Sequence, residues 1–492
     1  MRSLVWFRGN DLRLRDQAAL RAGLDQGEVV LVYVFDPKQW AADGKRGATY
    51  RQHYLWQNVD CLRQDIEALG AQLLLLEGEP AILLPWLVEH GRIGQLLTQR
   101  QTDPVARRLN TELERKLSVP LRLFDGETLV LPGSMRTTTG GAYSVFTAFA
   151  RAVGQHLDVG QPLPRPARLP ALPTDFAEWL ATATRQAKTD CRWLDELPKP
   201  LIPTNADDLQ AGGERAALQR LKHFVNKTGE EYALVRDRMD LEGTSRLSAD
   251  LKFGTISPKQ LWNAANKTIA HDESRTRFLN QLIWREFAHS TLWDRPELLT
   301  QPFQPRFARF PWRNDERGYL AWVEGKTGYP IVDAAARQLL REGFVHNRAR
   351  MIAASFLAKD LLVDFRQGER HYLDWLIDGD PALNDLGWQW SSGSGCDAQP
   401  YFRIFNPTTQ AERFDPEGAY VRRYVEELAA VPTRHIHAPW LAPSVELAVA
   451  AVRIGRDYPA PIVEHASARK RFLAIASEHF GNNSLGRGAS KD

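Results

Sequence analysis

Residues 243–248, Gly243-Thr244-Ser245-Arg246-Leu247-Ser248, gather three hydroxyls and one guanidinium just after a glycine. Such a set can surround a phosphate, and backbone N–H groups at a helix start add to it. The same residues also read as an ordinary cluster of helix caps. Tyr232 and Arg236 stand just upstream and offer an aromatic face and a charge. In residues 278–287 (FLNQLIWREF), Gln281, Trp284 and Arg285 share one helical face, beginning about a turn after Phe278, with Glu286 alongside. A tryptophan flanked by an amide and an arginine can stack on a base and hold its phosphate. The bland counterpart is a buried tryptophan beside a surface ion pair. In His346-Asn347-Arg348-Ala349-Arg350-Met351, two cations accompany an amide that can read a base edge, though a solvated helix face has the same composition. Asp378-Gly379-Asp380 precedes Asn384, Trp388, Gln389 and Trp390. Two carboxylates flanking a glycine suit a cation, but no further ligand spacing supports a metal. They suit equally well the hydrogen-bond donors of a flat heterocycle and a ribose. Trp388 and Trp390 diverge by about 200° on a helix, so they face different surroundings.

These residues need elements to position them. Val29–Phe35 is a short continuous apolar run that reads as a buried strand, residues 4–7 read as another strand, and 72–76, 96–98 and 121–124 are further candidates. Residues 54–69 between them carry Leu55, Val59, Leu62, Ile66 and Leu69 at helical spacing. Strand-helix alternation predicts an α/β domain with a Rossmann-like parallel sheet over residues 1–132. Neither GxGxxG nor GxxxxGK[ST] occurs there, so the usual dinucleotide fingerprint and the P-loop are absent. Prolines at 162, 164, 166, 170, 173, 198, 200 and 203 mark an interdomain linker, set at 133–206. From 207 to 475 the pattern predicts a large all-α domain, with Ser257-Pro258 as a helix start and helical periodicity over 277–291 and 332–340. Residues 476–492 form a polar tail. No internal repeat is present.

The chain has 492 residues, 63 basic against 60 acidic, for a net charge of +3. Hydrophobic content of 43% and charged content of 25% exclude a disordered, collagen-like or coiled-coil chain. The 15 tryptophans outnumber the 12 tyrosines, enough to fill a core and to stack on flat ligands as well. Three dispersed cysteines fit neither a disulfide framework nor a metal site. The amino terminus lacks a signal peptide, and the greasy stretch 73–88 is broken by Glu77, Glu79, Pro80 and Pro85. The expectation is a cytoplasmic, monomeric protein with no membrane contact. A near-neutral total leaves nucleic acid open, because a basic patch rather than the sum decides.

In order along the chain, WFRGNDLRL (6–14), YSVFTAF (143–149), EGTSRLS (242–248), LIWREF (282–287), EGKTGYPIVDAA (324–335), HNRARMIAASFLAKDLL (346–362), LIDGDPALNDLGWQW (376–390) and YFRIFNPTTQ (401–410) resemble the cryptochrome/photolyase family. The resemblance is greatest to microbial cyclobutane pyrimidine dimer (CPD) photolyases. It implies an antenna domain, a linker and a helical FAD-binding domain that acts on DNA containing pyrimidine dimers. It further implies that Tyr232, Thr244, Ser245, Arg246, Leu247 and Ser248 hold the FAD phosphates, with Phe278 and Arg285 nearby. Asp378, Gly379 and Asp380 would meet the isoalloxazine and ribose, and Asn384 the flavin N5. Trp284 and Trp390 would bracket the flipped dimer; Asn347, Arg348 and Met351 would line its pocket; Arg236 would touch the DNA backbone. Trp388 and Trp312 would be the inner and outer members of an electron-hopping chain.

Three positions depart from the CPD pattern. Gln281 stands where these enzymes place a glutamate beside the dimer; an amide hydrogen-bonds but supplies no proton. Phe365 stands where the middle hopping tryptophan belongs, so photoreduction is expected to be slow unless Trp375, Trp322 or Tyr372 bypasses it. Residues 101–107 lack the Asn-Glu pair that holds a folate antenna, so any second chromophore is of another or unknown kind. Gln281 and Phe365 keep open the alternative of a photolyase-like blue-light receptor with weak or no repair. Asn347 disfavours (6-4) repair, for which the family uses a histidine there.

Overall fold

The computed structural model describes residues 1–37, 48–186, 192–194, 196–198, 202–313, 315–397 and 400–481. Two compact units emerge: Met1–Tyr143 with Thr147–Glu230 and Ser245–Pro296, and Ser144–Phe146 with Glu231–Thr244 and Glu297–Asp492.

The first unit is built on a six-stranded sheet in the order β5-β4-β1-β2-β3-β6. Its strands are β1 Ser3–Phe7, β2 Val29–Phe35, β3 Leu73–Glu77, β4 Gln95–Gln99, β5 Leu121–Phe124 and β6 Arg192–Leu194. β1 and β2 are buried along their whole length, as an unbroken apolar run in a sheet covered on both faces requires. β1 pairs in parallel with both β2 and β4, Val5 lying opposite Leu31 and Leu97. The first five strands are parallel, but β6 runs antiparallel along β3, Trp193 opposite Leu76. The parallel sheet expected from the sequence thus forms, with one antiparallel edge strand added from within residues 133–206. Three residues within a proline-rich stretch carry no readable period, so the edge strand was hidden in the linker. The helix expected over 54–69 is Ala48–Glu67; it gives way to a turn at Gly70, whose φ of 93° favours glycine. Ser257 starts Pro258–Thr268 as expected, with a reciprocal capping box to Gln260 at 3.1 and 2.8 Å.

The second unit is helical. Among the described residues its β content is two isolated bridges, Arg313 with Val363 and Ile454 with Tyr458. Its core gathers Trp322, Val332, Leu339, Ile352, Phe356, Tyr372 and Trp388. Full burial of each such side chain contributes roughly 1.5–3 kcal/mol. The helix expected over 332–340 lies within Pro330–Glu342 of this unit, and that over 277–291 within Asp272–Asp294 of the first unit. Asn347–Ser355 runs into a π-helical turn, Phe356–Asp360. That turn carries Lys359 fully buried, its Nζ donating to the Arg403 carbonyl at 2.8 Å; burial pulls its pKa down to about 7. Among the described residues no helix is long and apolar enough to cross a membrane.

Candidate functional site

In the first unit, residues 245–248 form a tight loop leading into the helix Ser248–Phe253. Arg246 adopts a left-handed φ of 53°, unusual for a residue with a Cβ. Leu247 is buried, whereas Arg246 is exposed, and the Leu247 N–H donates to Ser245 Oγ at 3.4 Å. Ser245, Ser248 and the Arg246 guanidinium, singled out from the sequence, thus lie on one turn. Their chemistry, neutral donors and one fixed cation, fits a phosphate.

The helix Asp272–Asp294 presents Phe278, Gln281, Trp284 and Arg285. Phe278 is buried against Phe224, ring centroids 4.7 Å apart. Gln281 is half-buried and donates to the Arg277 carbonyl at 3.2 Å. Trp284 is half-buried and meets Phe287 edge to face at 5.8 Å. Arg285 and Glu286 are no surface ion pair: their side chains are buried and lie 3.7 Å apart. Arg285 donates to the Glu127 carbonyl at 2.6 Å, and Glu286 Oε2 accepts from the Leu129 and Val130 amides at 2.8 and 3.0 Å. Both therefore grip the backbone of residues 127–130. Burial pushes the Glu286 carboxyl up to about 7, against the pull of Arg285. The stretch 101–107 is committed to internal contacts. Thr102 bonds His289 at 2.7 Å, Asp103 caps the helix Pro104–Lys116, and Arg107 lies 3.8 Å over the Trp293 ring.

In the second unit, Tyr232 is buried and Arg236 sits 5.6 Å from its ring. Asp237 joins Arg236 at 3.6 Å and Arg348 at 2.8 Å, and Arg348 also covers the Phe414 ring at 4.3 Å. The expected DNA-backbone residue Arg236 and the expected dimer residue Arg348 thus share one carboxylate. Asn347 opens the helix Asn347–Ser355 and donates to Met351 Sδ at 3.6 Å, so these two side chains are neighbours. His346 caps that helix by accepting from the Arg348 amide at 3.1 Å. Burial lowers the His346 pKa to about 4, which keeps the ring neutral and able to accept.

Asp378 and Asp380 divide their tasks. Arg350 Nη2 holds both Asp378 oxygens, at 3.1 and 2.8 Å. Asp380 caps Pro381–Ser392 by accepting from the Ala382 and Leu383 amides. That helix carries Asn384, Trp388 and Trp390. Asn384 donates to the Glu369 carbonyl at 2.9 Å. Burial raises the carboxyls of Glu369 and its neighbour Asp385, keeping anionic charge low beside Asn384. Trp388 is buried and Trp390 half-buried, as their angular separation anticipates.

Trp312 meets Phe365 edge to face at 6.1 Å. Trp388 instead meets Tyr372 at 5.1 Å and Trp322 at 5.9 Å. Trp322 continues to Tyr319, stacked at 6.3 Å, and to His371 at 5.6 Å, which in turn neighbours Trp375 at 6.3 Å. Sequence reasoning named Trp322, Tyr372 and Trp375 but missed Tyr319. It also missed Glu286 and Glu369 as buried carboxylates, because nothing in their neighbours along the chain signals burial.

Two family models match the chain. One, described as DNA photolyase, covers residues 3–168, and one, described as the FAD binding domain of DNA photolyase, covers residues 278–478. Relatives that carry the name deoxyribodipyrimidine photo-lyase include two that span nearly the whole chain. The one from Agrobacterium fabrum is 38% identical over 479 residues, 96% of each chain. The one from Escherichia coli is 37% identical over 488 residues, 96% of this chain and 97% of the relative. A solved bacterial class III photolyase from Agrobacterium tumefaciens superposes with a TM-score of 0.87 at 37% identity, covering 97% of each chain.

Proposed function

The chain belongs to the cryptochrome/photolyase family, and from that premise we propose that it is a CPD photolyase: a lyase that uses light and FAD to split cyclobutane pyrimidine dimers in DNA. Similarity over nearly the full length, at 37–38% identity, to two named deoxyribodipyrimidine photo-lyases carries this assignment.

The residues present fit FAD. A turn of hydroxyls with one exposed arginine suits its phosphates, and the Arg350–Asp378 pair offers a fixed carboxylate for ring or ribose donors. The phosphate group comprises Tyr232, Thr244, Ser245, Arg246, Leu247 and Ser248, with Phe278 and Arg285 in support. Asp378, Gly379, Asp380 and Asn384 serve the isoalloxazine and ribose. Held there in its reduced form, FAD would supply light-driven one-electron chemistry that opens the cyclobutane ring with no net redox change.

The protein's own part is to bind and orient. Arg236 contacts a DNA phosphate, its charge tempered by the shared Asp237. Flipping the dimer out of the duplex costs a few kcal/mol, less for a distorted lesion. Stacking on Trp284 and Trp390 offsets this by roughly 1–3 kcal/mol per base. Asn347, Arg348 and Met351 line the place of the flipped bases. Gln281 offers the dimer carbonyl an N–H but no transferable proton. Residues 101–107, engaged internally, favour a non-folate second chromophore or none.

The test is repair by the reduced protein. With FAD confirmed reduced, blue light is expected to restore thymines in a dimer-containing oligonucleotide, read by product analysis. Dimers unchanged under those conditions would move the assignment to a photoreceptor, the alternative that Gln281 and Phe365 favour.

A further inference from the structure

Asp250, two residues beyond Ser248, lies within the helix Ser248–Phe253 that leaves the 245–248 turn, and it is fully buried. Five donors converge on its carboxylate. Tyr54 Oη at 3.0 Å, Arg220 Nη2 at 2.6 Å and Thr255 Oγ1 at 3.0 Å reach Oδ1. Arg220 Nε at 3.0 Å and Gln210 Nε2 at 3.2 Å reach Oδ2. The donors arrive from the helices Ala48–Glu67 and Glu214–Lys227, from the segment before the latter, and from the end of Asp250's own turn. Burial and the facing carboxylate push the Tyr54 phenol well up, so it stays protonated and donates.

The other end of the same short helix is fixed too. Gly254 turns with φ 62° so close to the backbone of the WFRGNDLRL segment that a Cβ would lie 1.8 Å from the Asn10 carbonyl oxygen. The Leu12 amide donates to the Phe253 carbonyl at 3.2 Å, and Arg13 Nη1 to the Gly254 carbonyl at 2.9 Å. A six-residue helix has little stability of its own, so these anchors set its place. The strained turn at Arg246 persists only if its surroundings over-determine it, and the chain runs from that turn straight into the anchored helix.

We propose that Asp250 is a positioning residue for FAD: held by Arg220, Tyr54, Thr255 and Gln210, it fixes the 245–248 turn in the shape that receives the FAD phosphates. This rests on the proposed assignment of that turn to the phosphates. Asp250 itself contacts no ligand; it acts through Leu247, Ser248 and the backbone between.

The experiment measures FAD release from the full-length holoprotein by flavin fluorescence, well below the melting temperature, with far-UV circular dichroism confirming the fold. Asp250→Asn is expected to release FAD about tenfold faster than the unaltered protein. Arg220→Lys should lie between the unaltered protein and Arg220→Ala, a graded rescue that general loosening would not give. Amide exchange should rise over 245–253 and not within Ala48–Glu67 or Glu214–Lys227. Folded Asp250→Asn releasing FAD at the unaltered rate, while Arg246→Ala and Ser248→Ala release it faster, overturns the positioning role alone. If Arg246→Ala and Ser248→Ala also leave release unchanged, the phosphate assignment itself falls. Should Asp250→Asn fail to fold, Arg220→Lys and Tyr54→Phe carry the test, and unaltered release from both overturns the proposal.

Discussion

Trp388 and Trp322 meet edge to face with ring centroids 5.9 Å apart, and Trp322 stacks on Tyr319 at 6.3 Å. Each ring in that series is oxidisable. Trp312, by contrast, meets Phe365, a ring far harder to oxidise. On the proposed electron path, with Phe365 in the place expected of a middle tryptophan, Trp322 gives Trp388 an oxidisable neighbour. Trp322→Phe is expected to slow photoreduction of the bound flavin about tenfold, followed as loss of oxidised-flavin absorbance under blue light. Adding Phe365→Trp should restore the rate, and repair by chemically pre-reduced protein should be unaffected. Unchanged photoreduction in Trp322→Phe would show that electrons take another path.

Gly368 sits under the same tryptophan. A Cβ there would lie 2.2 Å from Trp388 Cη2 and 2.6 Å from Leu357 Cδ2, and both neighbours are buried. Gly368→Ala is expected to cost about 1–3 kcal/mol by overpacking, seen as a lower thermal midpoint, and to slow photoreduction by displacing Trp388. A variant of native stability would mean that Trp388 can move aside freely.

The legibility of these features in the sequence depends on how locally each is encoded. β2 is readable to the residue because an apolar run bounded by Glu28 and Asp36 is a local signal; β5, with Arg122 inside it and none of its residues buried, is a weaker one. β6 has three residues inside a proline-rich stretch, too few to show a period. The 245–248 turn is visible in its residue types, but its left-handed Arg246 and its anchor Asp250 are not. A buried aspartate differs from an exposed one only through partners distant in sequence, here Tyr54 and Arg220. Trp322, Tyr372 and Trp375 are equivalent as bypass candidates in the sequence; distances across the second unit bring Tyr372 and Trp322 to Trp388, at 5.1 and 5.9 Å, and set Trp375 beside His371.

Glu286 makes stability depend on pH. Its carboxyl stands at about 7 in the folded chain, against an ordinary value of 4.5. Between those values the folded chain binds a proton that the unfolded chain has lost, so stability falls as pH rises through the window. The full effect is roughly 3 kcal/mol. Glu286→Gln keeps a carbonyl oxygen for the Leu129 and Val130 amides and removes the titration. The thermal midpoint of the unaltered protein should therefore drop more between pH 5 and pH 8 than that of Glu286→Gln. Parallel curves would show that the Glu286 carboxyl is not raised in the folded chain.

On the proposed mode of binding, Arg236 and Trp390 separate the two sources of DNA affinity. Arg236 supplies charge, so its contribution comes through counterion release. Arg236→Ala is expected to weaken binding to damaged and undamaged DNA alike and to reduce the slope of log affinity against log salt by about one. Trp390 supplies a stacking face, which no salt screens. Trp390→Ala should weaken binding to dimer-containing DNA by roughly 1–3 kcal/mol, leaving undamaged DNA and the salt slope unchanged. Fluorescence anisotropy with both DNAs across a salt series measures all four quantities. If Trp390→Ala weakened both DNAs equally, Trp390 would not stack on the flipped lesion. If Arg236→Ala left the slope intact, the charge balanced by Asp237 would be internal to the fold rather than offered to a phosphate.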